Sequence, residues 1–187
     1  MQSNIPNDDL PVGFLGSVKA NGVPGHVQSG IWPGLTTGGI IDANNTVDAK
    51  FGLIVSSAPG EDKLMHVGWN PGDIVRGPLL NRQGIRENEP AKPDYILNEQ
   101  PAEAVAKGPV WYASWGVTVG KATPQIGDQV IFSKTTGIVE FIADGESVPA
   151  GFKPLFAAVI QVDLTGNGVE VDFQPQSFGS FPTEEET

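Results

Sequence analysis

The sequence contains no cysteine. Disulfide bonds and thiolate metal sites are therefore excluded, and stability has to come from packing or from association with other chains. The sequence also lacks any apolar run near the roughly 20 residues that a membrane-spanning helix needs. Its first residues, MQSNIPNDDLPVGF, lack the basic segment and apolar core of a signal peptide. We therefore expect a protein made in the cytoplasm that does not enter a membrane.

Basic residues are scarce. The chain has 11 lysines and arginines against 22 aspartates and glutamates, which gives a formal net charge of −11. Because nucleic-acid phosphates would be repelled by such a chain, we do not expect a nucleic-acid partner. Solubility is the simplest explanation of the charge. A basic partner surface is a second explanation, which no other feature of the sequence supports.

Groups that could carry chemistry are also few. His26 and His66 are the two histidines, whereas a cupin-like metalloenzyme needs a cluster of imidazoles with a carboxylate. No Gly-x-Ser-x-Gly elbow marks a nucleophile. Residues 42–48 and 163–168 carry oxygen side chains at alternate positions, as calcium loops do, but neither is followed by the acidic residue at position twelve. We predict no enzyme, no catalytic residue, no cofactor and no bound metal.

Glycine and proline, in contrast, are abundant, with 24 and 16 residues spread along the chain. Such spacing is typical of many turns joining short strands. Residues 133–137 and 163–168 are turn sequences, and each separates two apolar runs. This is the pattern of a β-hairpin. In the last run Val169, Val171 and Phe173 alternate with Glu170 and Asp172, which predicts one dry and one wet face. We predict an all-β fold, either a jelly-roll-like sandwich or a small β-barrel of about eight to ten short strands.

Three regions are predicted along the chain. Residues 1–41 form an extended N-terminal arm, because glycine or proline recurs every few residues and such a segment buries little surface by itself. Residues 42–174 form the β domain, and residues 175–187 form an acidic mobile tail. The candidate anchors of the arm on another surface are Val12, Phe14, Leu15, Ile31 and Trp32. A flexible terminus with incidental apolar residues is the alternative.

The β domain is organised around residues 71–115. An apolar run from Ile74 to Leu80 is interrupted by Arg76 and by Gly77-Pro78, which predicts a bent or edge strand. A second run, residues 104–113, is rich in β-branched and aromatic residues and is punctuated by Gly108-Pro109. Closely spaced prolines between the two runs exclude a helix of useful length. This pattern predicts a strand–loop–strand unit without a reacting group.

The order of the strand segments resembles the structural cement, or capsid decoration, proteins of tailed bacteriophages. The resemblance covers about residues 45 to 173. It rests on the succession of short motifs rather than on any one of them. The segments that carry it are FGLIVS (51–56), GDIVRGPLLNR (72–82), AEAVAKGPVW (102–111), IGDQVIF (126–132) and PLFAAVIQV (154–162).

The resemblance implies a mainly β virion protein, made in the host cytoplasm, that sits on the outer surface of the phage head. Such a protein bridges neighbouring major capsid proteins, stabilises the shell, forms a homo-oligomer (a dimer or a trimer) and has no catalytic residue. The candidate partner-contact residues on this interpretation are Phe14, Ile31, Trp32, Trp69, Arg76, Arg86 and Trp115.

A carbohydrate- or receptor-binding β module, of the head-fibre or adhesin type, is the alternative interpretation. Trp32, Trp69, Trp111 and Trp115 could form a platform on which sugar rings stack. Trp111 and Trp115 flank a predicted strand, however, so we expect them to anchor a core or an interface.

Overall fold

Alternating apolar residues and glycine-containing turns form strands throughout the described chain. This computed structural model describes residues 17–18, 35–80, 95–112, 123–163 and 168–174. In these residues every regular element is a strand, which confirms the predicted all-β fold of sandwich or barrel type. The strands are β1 (Ser17–Val18), β2 (Leu35–Ile41), β3 (Ala49–Lys50), β4 (Ile54–Ser57), β5 (Leu64–Val67), β6 (Ile74–Pro78), β7 (Tyr95–Ile96), β8 (Pro101–Tyr112), β9 (Gln129–Ser133), β10 (Val139–Ile142), β11 (Phe152–Asp163) and β12 (Gly168–Phe173). Among the described residues there is no helix that could cross a membrane.

Ten of these strands belong to one mixed sheet. Its order is β10-β9-β11-β12-β8-β2-β5-β4-β6, and β1 also pairs with β8. The β2–β5 pair is parallel, and the other pairs are antiparallel. Strands β3 and β7 form a separate two-stranded ribbon. The hairpins predicted around residues 133–137 and 163–168 are confirmed as β9–β10 and β11–β12.

Strand β8 joins the two halves of the sheet. Its first residues, 101–107, pair with β2, and its last residues, 108–112, pair with β12. Gly108 lies where one partner replaces the other and has a φ of 118°, a conformation that glycine adopts without steric cost. The Gly108-Pro109 pair therefore marks a change of pairing partner within one long strand.

The sheet curls until its last strand, β6, reaches β8 again. Leu79 forms an antiparallel bridge with Ala104, and the Leu80 N–H donates to the Glu103 carbonyl at 2.8 Å. Gly77 makes this approach possible, because a Cβ at this position would lie 1.9 Å from the Val105 carbonyl oxygen. The first half of β8, β2, β5, β4 and β6 thus enclose a barrel-like space.

Two clusters of buried side chains fill the fold. One lies inside the barrel-like part and contains Ile41, Ala49, Val55, Met65, Val67, Leu79, Ile96, Ala102 and Ala104. The other lies between the two halves of the sheet and contains Ile54, Val75, Leu80, Val105, Val110, Tyr112, Val130, Phe132, Val139, Phe141, Leu155, Val159, Val169, Val171 and Phe173. Strand β4 contributes to both clusters, with Val55 facing one and Ile54 the other, so the two halves fold against a shared strand.

Residues 35–41 differ from the sequence-based expectation. The sequence predicts them at the end of the arm, whereas the structure has them as β2, between β8 and β5. Gly39 allows close packing here, since a Cβ at this position would lie 2.9 Å from Met65 Cε and 3.0 Å from the Lys63 carbonyl oxygen. The rest of the predicted arm, apart from Ser17 and Val18 in β1, and the predicted tail from residue 175 lie outside the described residues.

Strand β12 also departs from the expected pattern on one face. Val169, Val171 and Phe173 are fully buried, as the alternation predicts. Glu170, expected on the wet face, is only 6% exposed. Its neighbours in the sheet are Gln161 of β11 and Trp111 of β8, so β12 is central and has a strand on each side.

Tyr112 connects the end of β8 to the barrel-like part. Its hydroxyl donates to the Gly52 carbonyl at 3.1 Å, and its ring lies in the core that contains Phe173. Burial raises the pKa of the Tyr112 phenol well above its ordinary value. The hydroxyl therefore stays protonated and keeps donating at alkaline pH.

Gly77→Ala is expected to lower the free energy of unfolding by at least about 3 kcal/mol, because it adds a backbone clash with Val105 to an unfavourable φ. Gly72→Ala is the matched control. Gly72 also has a positive φ, but no atom lies within 4 Å of its added Cβ, so we expect a loss of about 1 kcal/mol. Urea denaturation of both variants measures the difference. Equal losses would show that the β6–β8 approach does not constrain the fold.

Tyr112→Phe is expected to lower stability by about 1–2 kcal/mol at pH 7, because the Gly52 carbonyl loses its donor. The two proteins should respond differently to pH. Above pH ~10 the unfolded chain releases the phenol proton while the folded chain retains it, so wild-type stability falls by up to about 1.4 kcal/mol per pH unit from this group. Tyr112→Phe lacks that contribution. Parallel slopes for both proteins between pH 10 and 11.5 would contradict the buried phenol.

Candidate partner-contact site

The connection between β5 and β6 crosses the face of β4. Both strands are antiparallel to β4, so they run parallel to each other, and residues 68–73 have to span the length of β4 to join them. This crossing places Trp69 and Asp73 over the face of β4 that packs into the larger core. Trp69 was one of the sequence-predicted contact residues, and the crossing determines its surroundings.

The Trp69 ring lies at the boundary between core and solvent. It is half-buried and packs against the larger core. The Lys153 ammonium lies 4.2 Å from the ring centroid and the Lys134 ammonium lies 5.7 Å from it, both within the range of a cation–π interaction. The ring nitrogen Nε1 donates to the Asp73 carbonyl at 2.9 Å. A hydrogen bond at its edge therefore fixes the ring, and the two lysine ammonium groups lie close to the ring itself.

The turn between β9 and β10 brings Lys134 to this position. The Trp69 N–H donates to the Lys134 carbonyl at 2.8 Å, and the Ile54 N–H donates to the Gly137 carbonyl at the same distance. Gly68 permits the contact, because a Cβ there would lie 2.3 Å from the Lys134 carbonyl oxygen. The hairpin of one half of the sheet is thus hydrogen-bonded to the other half at Trp69.

Asp73 holds the other end of the crossing. Its carboxylate accepts the Asn70 N–H at 2.6 Å and lies 2.9 Å from His66 Nε2. The side chain of Asp73 is 6% exposed and that of His66 is 21% exposed. Asn70 Nδ2 also lies 3.2 Å from His66 Nε2. The Nε2 atom cannot accept a hydrogen bond from the Asn70 amide and donate one to the Asp73 carboxylate at the same time. When Nε2 carries a proton, it donates to Asp73.

A histidine beside a carboxylate is also the arrangement of a general base with its orienting acid. That chemistry needs a nucleophile or a substrate proton next to the ring. In the part of the chain described here, no hydroxyl forms a hydrogen bond with His66. No group of three or more histidine, aspartate or glutamate side chains in the described ranges could hold a metal ion. The contacts of Asp73 with His66 and with the Asn70 N–H hold the turn that begins the connection to β6.

Arg76 occupies a β-bulge. Val55 pairs with Gly77 and Ser56 pairs with Val75, so Arg76 is the extra residue between the two pairs. The bulge confirms the bend that the interrupted apolar run predicted. It also places an arginine on the last strand of the sheet path, two residues after Ile74, which is 40% exposed.

The structure describes two of the seven sequence-predicted contact residues. Trp69 lies over the β4 crossing and Arg76 in the β6 bulge, and no hydrogen bond or ring contact joins them. Phe14, Ile31, Trp32, Arg86 and Trp115 lie outside the described residues. Sequence reasoning missed Asp73, Lys134 and Lys153, because they reach Trp69 from three separate places: the crossing, the β9–β10 turn and strand β11. The Asn-Pro-Gly sequence of residues 70–72 is itself typical of a turn.

Comparison with models of known protein families and with curated protein sequences finds no match for this chain. The function therefore has to be argued from the residues and their arrangement.

Asp73→Ala is expected to loosen the β5–β6 crossing and to lower stability by about 1–2 kcal/mol, because the Asn70 N–H and His66 lose their acceptor. Asp73→Asn is the control, since its amide oxygen still accepts from Asn70, and it should keep more than half of the stability that the Ala variant loses. Thermal denaturation by circular dichroism measures both. An Asn variant as unstable as the Ala variant would assign the effect to charge rather than to the turn.

Proposed function

We propose that this chain is a virion structural protein that binds the outside of a tailed-phage head and clamps neighbouring major capsid proteins together. One observation carries the proposal. The five segments on which the resemblance to capsid decoration proteins rests overlap strands β4, β6, β8, β9 and β11. All five strands belong to one continuous sheet and contribute to the larger core. Their succession therefore follows strands of one sheet and one core, which supports the proposal.

The described surface supports a docking role. Large apolar side chains are exposed at several places, in strands and in turns, and two of them, Ile40 and Leu64, are partners in the β2–β5 pair: Ile40, Leu64, Ile74, Leu97, Ile126, Ile138 and Ile160. Scattered exposure is ordinary for a folded protein, yet it also suits a protein whose contacts with several capsid subunits are each small. In a lattice, weak contacts add up because binding of one contact raises the effective concentration of the next.

The rigidity of the fold supports the same role. A clamp has to resist displacement of the subunits that it joins, so its two halves should not move independently. Here β8 runs through both halves, and the β9–β10 turn is hydrogen-bonded to β4 and to Trp69. A load applied to one half of the sheet is transmitted to the other through these backbone contacts.

The surroundings of Trp69 do not favour the carbohydrate-binding alternative. A sugar stacks on a free aromatic face, whereas this ring packs against the core and carries the Lys153 ammonium 4.2 Å from its centroid. Trp69 is better suited to fixing the crossing, with Lys134 and Lys153 presented beside it.

Shells assembled from the major capsid protein encoded with this chain provide the test. Purified protein is mixed with shells before and after expansion, and bound protein is measured by co-sedimentation. We expect saturable binding at a fixed number of copies per shell and a higher melting temperature of the decorated shell. An unrelated acidic protein of similar mass and charge is the control. Binding no greater than that of the control, in both shell states, would refute the proposal.

A further inference from the structure

Two lysines from different parts of the chain contact the same tryptophan. The Lys153 ammonium lies 4.2 Å from the Trp69 ring centroid, and the Lys134 ammonium lies 5.7 Å from it. All three residues are half-buried, so they form a basic and aromatic surface where the core meets solvent. We call Trp69, Lys134 and Lys153 the Trp69 patch.

The positive charge of the patch contrasts with the composition of the chain, in which acidic residues outnumber basic residues by 22 to 11. The acid that contacts the Trp69 ring does so through its backbone, since the Asp73 carbonyl accepts from the ring nitrogen. The Asp73 carboxylate is directed instead to the Asn70 N–H and to His66. A segment that carries carboxylates would therefore meet two ammonium groups beside an indole ring.

Strand β12 leads the chain toward this patch. It is antiparallel to β11, and Phe173 at its end lies opposite Ala157. The next residue continues the pairing, because the Gln174 N–H donates to the Phe156 carbonyl at 2.8 Å. The chain thus leaves β12 in the direction of the start of β11. Lys153 lies three residues before Phe156, which is about 10 Å along a strand.

The sequence that follows Gln174 carries the opposite charge. Residues 175–187, PQSFGSFPTEEET, include three consecutive glutamates at 184–186 and no lysine or arginine. Glu184 is ten residues after Gln174, a separation that spans roughly 33 Å when extended and has a root-mean-square length of roughly 17 Å as a flexible chain. Both lengths exceed the distance from Gln174 to the Trp69 patch along β11, so the glutamates can reach it.

We propose that the Trp69 patch binds the acidic tail, residues 175–187, of the same chain, with the glutamates at 184–186 beside Lys134 and Lys153. An ion pair at a protein surface is weak by itself. The tail is attached close to the patch, however, so its effective concentration there is in the millimolar range and several weak contacts act together. The net charge of −11 disfavours most other positions for an acidic segment.

The consequence is that the Trp69 patch is covered in the isolated chain. An acidic surface of any partner would have to displace the tail before it reached Lys134, Lys153 or the ring. The inference concerns the chain alone and does not depend on the proposed capsid binding, so its test uses no shells.

The absence of cysteine gives a direct test, because Thr183→Cys provides a single attachment site for a nitroxide spin label beside the glutamates. The label broadens the amide NMR signals of residues close to it. At low ionic strength we expect strong broadening at Lys134 and Thr135, in the β9–β10 turn, and little at Val162 and Val169, at the other end of the β11–β12 pair. In 1 M salt the broadening at the turn should fall at least about threefold, because charges are then screened within about 3 Å.

A matched variant separates charge from simple proximity. Glu184→Gln/Glu185→Gln/Glu186→Gln, carrying the same label, keeps the length of the tail and leaves the folded sheet unchanged. We expect the broadening at Lys134 and Thr135 to fall to its level in 1 M salt. Equal broadening with and without the three charges would overturn the proposal.

Charge reversal tests the patch itself. Lys134→Glu/Lys153→Glu should lose the broadening at the β9–β10 turn, and the amide signals of the rest of the sheet report whether this variant folds. Adding Glu184→Lys/Glu185→Lys/Glu186→Lys should restore the broadening, since opposite charges then face each other again. A folded reversed patch that still binds the acidic tail, or that is not rescued by the basic tail, would overturn the proposal.

A mixing experiment identifies the chain that supplies the tail. Spin-labelled protein without isotope is mixed with an equal amount of unlabelled ¹⁵N protein, so that broadening reports contacts between two chains. We expect none at Lys134 and Thr135. Broadening in the mixture as strong as within one chain would show that the tail of another copy occupies the patch and would overturn the proposal.

Discussion

The close approach of β6 to β8 is the constraint on which the rest of the structure depends. The carbonyl of Val105 occupies the position where any side chain on residue 77 would begin, and the Leu79–Ala104 bridge follows directly from that approach. Without it the sheet would remain open, the smaller core would lose the enclosure that buries Leu79 and Ala104, and β4 could not face both cores. The Arg76 bulge immediately precedes this point, so this sequence-predicted contact residue is positioned by the same contact that closes the barrel-like half.

The sequence determined much of the architecture directly. Both hairpins lie where short turn sequences separate two β-branched runs, and the Val169, Val171 and Phe173 side chains are buried as their alternation predicts. The interrupted run from Ile74 correctly indicated a bent strand at the end of the sheet path. Each of these features depends on residues close to one another in the chain, which is why local patterns sufficed.

Other features depended on contacts that local patterns do not contain. Gly38 and Gly39 resemble loop residues, yet Gly39 is required by the proximity of Met65 and the Lys63 carbonyl. The buried state of Glu170 follows from strands on both sides of β12. The cluster around Trp69 requires the β5–β6 crossing, the β9–β10 turn and the start of β11 to meet, which brings together residues 69, 134 and 153 from distant parts of the chain. Trp69 could be named as a candidate from its residue type, but its partners could not.

The proposed function makes one demand on the molecule, namely that it presents fixed surfaces to neighbours without giving way between its halves. Strand β8 and the hydrogen bonds of the β9–β10 turn meet that demand. The most direct measurement is a reconstruction of the purified virion, combined with mass spectrometry of its proteins. We expect the chain to be present in the particle and density for its curled sheet to lie outside the capsid shell, in contact with more than one capsid subunit. Absence of the chain from purified particles, or its location inside the shell, would contradict the proposed function.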